Sequence, residues 1–264
     1  MTATTTPPSA LDTFEHGFPS GFGKGKPAIA AFVIALAFSA FQLFVSAWPI
    51  LPSLAVRGIH VGFLLLLGFG LIANFRSRST LEMASGWALG VLGFGVGLYQ
   101  WIEHNPLILR SGDLETRDLV VGVLLILLVF EACRRIMGPA LPIMCGVCLL
   151  YAFGGQWFPG PLATRGYGFD QVIEQMAFGT EGIYGVPVNV SATYIFLFIL
   201  FGSFLEKAGM IHLFTDVSLG LFGRARGGPA KVAVFSSGLM GTFSGSGVAN
   251  VVTVGQFTIP LMIR

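Results

Sequence analysis

Hydrophobic residues are gathered into long, nearly charge-free runs along this chain, and short polar or basic stretches separate these runs. A helix that crosses a bilayer needs about 20 mostly apolar residues. Six runs approach or reach that length, so the pattern predicts about six membrane-spanning helices. The predicted spans are Pro27–Trp48, Gly58–Phe75, Met83–Trp101, Leu119–Cys133, Pro139–Phe158 and Val188–Leu205.

The chain begins with a polar segment, residues 1–26, which is rich in Pro, Thr and Gly. We expect it to form a flexible cytoplasmic N-terminus. The first apolar run is long and lacks a small-residue cleavage site, which favours a retained helix over a signal peptide.

Two further segments have the apolar spacing of helices that lie along a surface. The first predicts an amphipathic helix at the outer membrane interface, and the second predicts one at the inner side. For both, packing of the apolar stripe on protein instead of lipid is an equal alternative. The stripes are Phe169, Val172, Ile173, Met176 and Ala177, and Ile211, Phe214, Val217 and Leu221.

Composition narrows the class of protein. Hydrophobic residues make up 54% of the 264 residues and charged residues only 11%, whereas a soluble domain carries about 25% charged residues. The formal net charge of +2 is too small to favour a nucleic-acid partner. These values exclude a soluble enzyme, a disordered tail and a disulfide scaffold, and they predict an all-α polytopic membrane protein.

The basic residues predict the orientation, because cytoplasmic loops carry an excess of Lys and Arg. With the N-terminus in the cytoplasm, 11 of the 15 basic residues fall on the cytoplasmic side, and the reverse orientation would place most of them outside. The 11 residues are Lys24, Lys26, Arg76, Arg78, Arg134, Arg135, Lys207, Arg224, Arg226, Lys231 and Arg264.

The last stretch, Val232–Ile263, contains no charged residue and no histidine, but it is rich in Gly, Ser and Thr. Because Lys231 and Arg264 flank it with the same charge, we predict a re-entrant helical hairpin that returns to the cytoplasmic side. Lys231–Phe243 would descend, Ser244–Gly247 would turn and Val248–Ile263 would return.

Non-helical backbone within a membrane is tolerated where it lines a site, and many transporters bind ions at such broken helices. Carbonyl, hydroxyl and amide oxygens at the hairpin tip suit a hard cation such as Na⁺. The positive end of the return helix suits a carboxylate. The alternative is a Gly- and Ser-rich contact between closely packed helices.

The tip sequence Ser244–Thr253, with Gly255 and Thr258–Met262 after it, resembles the first hairpin of the large membrane subunit of tripartite ATP-independent periplasmic (TRAP) transporters. Other segments resemble the branch of this family whose soluble receptor is of the TAXI type. These segments are Gly179–Pro187, Ser191–Gly202, Phe204–Gly209 and Arg226–Val234.

The resemblance implies a permease, not an enzyme, in the bacterial inner membrane. It implies Na⁺-driven uptake of a small carboxylate, with Na⁺ as coupling ion and no other cofactor, by an elevator-like motion. A periplasmic TAXI-type binding protein would deliver the substrate.

The resemblance also implies that ion and substrate bind at the hairpin tip, with Na⁺ held by Ser244, Ser246 and Asn250. Many relatives have Ser three residues before the Asn, where this chain has Gly247, so Ser246 or a backbone carbonyl must supply that oxygen. The implied binding residues are Ser244, Gly245, Ser246, Gly247, Asn250 and Gly255.

In this branch a small four-helix subunit is often fused ahead of the large one. Residues 27–134 would then be the small-subunit-like domain, and residues 135–264 would be the first part of the transport domain. The family's large subunit has a second, inverted half with another hairpin, so we expect this chain to be an N-terminal fragment that cannot transport alone.

Two other function classes stay open. A structural or assembly subunit would need only packing surfaces, and Asn250→Ala would leave the activity of its complex unchanged. An intramembrane enzyme is disfavoured because neither Ser244 nor Ser246 has a glycine two residues before it, as a nucleophile elbow requires. Apart from His16 in the N-terminal segment, the histidines lie at the ends of predicted spans, where a general base would not be expected.

Overall fold

The protein is helical throughout the part of the chain that the structure describes. The structure is a computed structural model, and it describes residues 26–77 and 79–242 together with positions 251, 254, 255, 258, 259 and 262. No strand occurs among these residues. The helices are α1 (Lys26–Ala47), α2 (Ser53–Arg76), α3 (Thr80–Ile102), α4 (His104–Leu109), α5 (Thr116–Met137), α6 (Ala140–Gly154), α7 (Phe169–Ile173), α8 (Val186–Val190), α9 (Phe196–Lys207), α10 (Met210–Phe222) and α11 (Gly228–Gly241).

Shorter turns complete the helical segments. A π-helical turn, Glu174–Phe178, continues α7, and a second one, Ser191–Ile195, joins α8 to α9. Two 3₁₀ turns, Gly155–Trp157 and Gly160–Leu162, follow α6.

Five helical stretches among the described residues are long and apolar enough to cross a membrane: Pro27–Ala47, Ser53–Arg76, Thr80–Ile102, Ala140–Trp157 and Val186–Leu205. They match five of the predicted spans and confirm an all-α polytopic membrane protein. The remaining predicted span, Leu119–Cys133, lies in α5. The charge-free part of α5 is Leu119–Phe130, which is only about 18 Å long at 1.5 Å per residue, against a hydrocarbon core of about 30 Å.

Helices α2 and α3 pack most closely, along a seam of small residues. A β-carbon added at Gly97 would lie 2.5 Å from the Gly58 carbonyl oxygen, and one at Gly93 would lie 2.8 Å from the Leu65 β-carbon. Membrane helices approach each other this closely only where small residues face the partner helix. The α3 residues of the seam are Gly86, Gly90, Gly93 and Gly97.

Helix α5 contributes to the largest buried cluster. Its Leu125 and Leu128 are buried with Phe69 of α2 and with Tyr184, which precedes α8. The cluster therefore joins the early helices to the segment that leads into the last predicted span.

The loop before α5 is organised by one arginine and three carboxylates. The Arg110 guanidinium lies 2.8 Å from Glu103, 2.9 Å from Glu115 and 3.0 Å from Asp118. Asp118 is fully buried and also accepts hydrogen bonds from the Tyr99 hydroxyl and, at 3.1 Å, from the Glu115 amide. These contacts fix the start of α5.

The first predicted amphipathic segment forms α7 and the π turn after it. Its Val172, Ile173 and Ala177 are buried, whereas Phe169 is exposed. A β-carbon at Gly122 of α5 would lie 2.5 Å from Ile173 Cγ2 and 3.2 Å from Ala177 Cβ. Of the two alternatives for this stripe, packing on protein is the one that occurs.

The second predicted stripe lies on α10, where the outcome differs. Val217 and Leu221 are exposed, and the residues that α10 buries are Thr215 and Ser218. The buried residues of α10 are therefore small and hydroxyl-bearing, and such residues let membrane helices approach each other closely. Phe214 of the same stripe packs against the buried Met240 and Val254, so this part of the stripe does contact protein. The side chain of Ile211 lies outside the described part of the chain.

The chain divides into two compact units, Gly21–Thr193 and one that includes Tyr194–Arg264. The first contains α1 to α8. The second contains α9 to α11 and the helical positions that follow them. The domain boundary predicted at residue 134 stays a prediction.

Candidate functional site

The charge-free stretch begins within α11, after Lys231. A left-handed glycine, Gly227 (φ 71°), precedes this helix, and Pro229 lies in its first turn. Proline suits this position because the first amides of a helix have no partner within it. The buried residues of α11 recur every fourth position, which gives it one packing face. They are Gly228, Val232, Ser236 and Met240.

This face packs on α10 through hydroxyl groups as well as apolar ones. The Thr215 and Ser236 hydroxyls lie 3.4 Å apart and are both buried. The Ser218 hydroxyl donates at 2.5 Å to the carbonyl of Phe214 in its own helix. The contact has the small, polar character that holds membrane helices together.

The decisive contact for the predicted hairpin is between Met240 and Val254. Both side chains are 3% exposed, and they form one buried cluster against which Phe214 packs. A single continuous helix would hold residues 14 positions apart at about 21 Å. The contact excludes such a helix and is what two antiparallel arms would produce.

Most of the predicted tip lies outside the described residues, namely Ser244, Gly245, Ser246, Gly247 and Asn250. Gly255 is described and lies in a helical position. Among the described residues, a β-carbon there would lie 3.4 Å from Ile259 Cδ1 and 4.0 Å from Ile259 Cγ1, which are ordinary contacts.

Among the described residues, no group of three or more His, Cys, Asp or Glu side chains could hold a metal ion. The predicted cation ligands are of another type, since they are hydroxyl and amide oxygens of the tip.

The structure also contains a buried polar cluster that sequence reasoning missed. The Gln42 side-chain amide of α1 donates to the carbonyl of Ala192, and its Oε1 lies 3.3 Å from His60 Nδ1. His60 Nε2 lies 3.1 Å from the Ser191 hydroxyl. Gln42 and His60 are 2% and 1% exposed. The prediction that His60 lies at the end of a span was wrong, because α2 begins at Ser53 and His60 lies within it.

A second polar group holds the segment that leads to Ser191. The Arg57 guanidinium donates to the Tyr184 carbonyl at 2.7 Å and to Asn189 Oδ1 at 3.1 Å. Burial raises the pKa of the Tyr184 phenol above its ordinary value, so this side chain stays neutral. A cavity of about 220 Å³ lies beside this group, and its lining includes Gln42, Arg57 and Asn189.

One signal in the sequence could have pointed to this cluster. Gln42 and His60 are polar residues inside apolar runs, and such residues in membrane helices usually face the protein interior and have a partner. Their partners are about 130 to 150 residues away in sequence, and no local pattern indicates that distance.

Comparison with known families decides what kind of protein this is. The family model described as "Tripartite ATP-independent periplasmic transporter, DctM component" matches residues 124–264, which is more than half of the chain. The chain belongs to the DctM family of TRAP transporters. Comparisons with curated proteins and with solved structures give no match.

As a DctM component, the protein is a membrane part of a TRAP transporter, which works with a periplasmic binding protein. The match includes α11 and the Met240–Val254 contact. It also includes Ser191 and Ala192, whereas Gln42, Arg57 and His60 precede it. The polar cluster therefore joins the matched part of this TRAP component to helices that lie before it.

Proposed function

We propose that this TRAP component couples the entry of Na⁺ to the uptake of a small carboxylate that a periplasmic binding protein of the TAXI type delivers. The ion is held at the tip of the C-terminal hairpin. Ser244, Ser246 and Asn250 supply oxygen ligands, and Gly245, Gly247 and Gly255 allow backbone groups to approach the ion and the substrate.

The observation that carries this proposal is the packing of Met240 against Val254. One continuous helix through both residues is excluded, and α11 ends at Gly241, so the proposal places the turn of the hairpin after this residue. Backbone carbonyls that leave a helix lose their helical partners, and within a membrane they need a replacement. A dehydrated Na⁺ surrounded by carbonyl, hydroxyl and amide oxygens meets that need.

Binding of a carboxylate substrate is proposed from the same arrangement. The stretch Val232–Ile263 contains no basic side chain, so the positive partners that this stretch can offer a carboxylate are a helix N-terminus and the bound ion. A bound Na⁺ next to the substrate would make each bind more tightly in the presence of the other, which is the physical basis of coupled transport.

The remaining parts of the proposal rest on the resemblance of Gly179–Pro187 and Ser191–Gly202 to the TAXI branch, and on the basic residues. The protein would lie in the bacterial inner membrane with its N-terminus in the cytoplasm. Residues 27–134 would correspond to the small subunit of the transporter.

The test measures ²²Na⁺ entry into proteoliposomes that contain the complete transporter of which this chain is part. The liposomes hold K⁺ buffer, and the binding protein is added outside with or without its bound ligand. We expect ²²Na⁺ entry only with the liganded binding protein, and we expect Asn250→Ala to abolish it.

Asn105→Ala is the matched control, because it removes the same amide at an exposed position of α4, and it should leave entry unchanged. Equal ²²Na⁺ entry with and without liganded binding protein would contradict coupling. Undiminished ²²Na⁺ entry in Asn250→Ala would contradict the proposed ion site at the hairpin and favour a purely structural role for this chain.

A further inference from the structure

We propose that Gln42 and His60 are positioning residues that hold the π turn Ser191–Ile195 in place. They would thereby set the helical register of the span that contains this turn. The inference depends on described side chains of the first unit and does not depend on Na⁺ coupling.

The π turn is the feature that needs an explanation. Helix Val186–Leu205 is one of the candidate membrane spans, and Ser191–Ile195 interrupts its α-helical pattern. A π turn accommodates one extra residue, and such turns are rare and concentrate at functional sites. Because the α-helical form has better hydrogen bonds, a π turn needs outside contacts to persist.

Those contacts form a closed path of hydrogen bonds. With the proton of His60 on Nδ1, the Ser191 hydroxyl donates to His60 Nε2 and His60 donates to Gln42 Oε1. Gln42 in turn donates to the Ala192 carbonyl. The path starts and ends on adjacent residues of the π turn, and each donor in it faces an acceptor.

Because its side chains are buried, this hydrogen-bonded path favours one arrangement of the turn over others. Gln42 and His60 are almost fully inaccessible, and the Phe38 ring lies 5.1 Å from the His60 ring between centroids. Buried polar groups in such surroundings are costly unless they are paired, so the arrangement that pairs them is strongly favoured. The π turn is the arrangement that brings the Ser191 hydroxyl and the Ala192 carbonyl to these partners.

The chain before the turn is fixed separately. Arg57 donates to the Tyr184 carbonyl and to the Asn189 side chain, and both of these residues precede the turn. If the path through His60 and Gln42 is broken, the residues before Ser191 stay in place. The turn then relaxes to α-helix, and each residue after it advances by about 100° around the helix axis.

The experiment reads this rotation directly with single nitroxide labels in lipid vesicles. The chain carries Cys133→Ser, Cys145→Ser and Cys148→Ser, and one cysteine at a time is placed at positions 196–203. Collision with dissolved oxygen then reports which face of α9 meets lipid. No ion, substrate or binding protein is present, so failure of the transport proposal would not affect the result.

We expect the phase of oxygen accessibility along these positions to shift by about 100° in Gln42→Leu and in His60→Phe. Ser39→Ala is the control, because Ser39 lies one turn from Gln42 and its hydroxyl donates within its own helix, to the Ala35 carbonyl at 3.0 Å. Its phase should equal that of the unsubstituted chain.

A deletion separates a register effect from general damage. Removing Tyr194, which is 71% exposed, takes the extra residue out of the turn. Combined with Gln42→Leu, the deletion should restore the original phase. An unchanged phase in folded Gln42→Leu would overturn the proposal, and so would a shifted phase that the deletion does not restore.

Folding of each variant is checked by size-exclusion chromatography and circular dichroism. If Gln42→Leu does not fold, Ser191→Ala decides the matter, because it breaks one link of the path and leaves both buried side chains in place. A shift of phase in Ser191→Ala supports the proposal, and its absence overturns it.

Discussion

The glycine seam between α2 and α3 allows a prediction whose size can be worked out from the structure. A methyl group introduced by Gly97→Ala would lie 2.5 Å from the Gly58 carbonyl oxygen, 2.7 Å from Gly62 Cα and 2.9 Å from Gly62 N. All three are backbone atoms, so no side-chain rotation can relieve the overlap. Overpacking of this kind costs about 1–3 kcal/mol, and the rigid neighbours favour the upper half of that range.

Gly95→Ala is the matched control on the same helix. A β-carbon at Gly95 would have no neighbour within 4 Å among the described residues, so we expect this variant to change helix propensity alone, which favours Ala over Gly by about 1 kcal/mol. Since both variants gain the same propensity, the difference between them isolates the seam. We expect Gly97→Ala to be less stable than Gly95→Ala by about 2–3 kcal/mol.

The assay is reversible unfolding in mixed micelles by SDS titration, followed by far-ultraviolet circular dichroism. A difference of 2 kcal/mol corresponds to about a 30-fold change in the unfolding equilibrium constant, well above the error of such titrations. If the two variants unfold within about 0.5 kcal/mol of each other, the close contact of α2 and α3 described here is refuted.

Two further predictions concern α5. Asp118→Asn removes the buried carboxylate partner of Arg110 and should lower the free energy of unfolding by about 3 kcal/mol in the same titration. Glu115→Gln removes an exposed carboxylate partner and should lower it by at most about 1 kcal/mol. Equal losses of stability in the two variants would contradict the role of burial. Gly122→Leu should displace Ile173 and increase protease cleavage within residues 163–168. Gly146→Leu on α6 is the control, because a β-carbon at Gly146 would lie 3.8 Å from Phe130 Cε1, and it should leave cleavage unchanged. Unchanged cleavage in Gly122→Leu would contradict the packing of α7 on α5.

The membrane spans could be predicted from the sequence because each depends only on a local run of apolar residues. The run from Pro27 onward and the run that ends at Leu205 both form helices close to their predicted limits. The departure in α5 has a local cause as well, since Asp118 and Glu131 shorten its charge-free part.

The polar contacts could not be predicted in the same way. The partner of Gln42 is a backbone carbonyl 150 residues later, and the π turn that presents this carbonyl has no distinctive sequence pattern. The buried face of α10 could not be predicted from the sequence either, because Thr215 and Ser218 are buried whereas the more hydrophobic Val217 and Leu221 are exposed. In a membrane, lipid accepts apolar side chains as readily as protein does, so hydrophobicity alone does not indicate the packing face.

The proposed ion site depends on one geometric claim, which is that the charge-free C-terminal chain doubles back. Nitroxide labels at Val234→Cys and Ile259→Cys test this claim with little disturbance, because both residues are exposed.

The measurement is the magnetic dipolar coupling between the two labels in lipid vesicles. Since Met240 packs against Val254, we predict that the labels lie on neighbouring arms and are less than about 20 Å apart. A distance near 38 Å, the length of 25 residues of continuous helix, would contradict the hairpin and the ion site built on it.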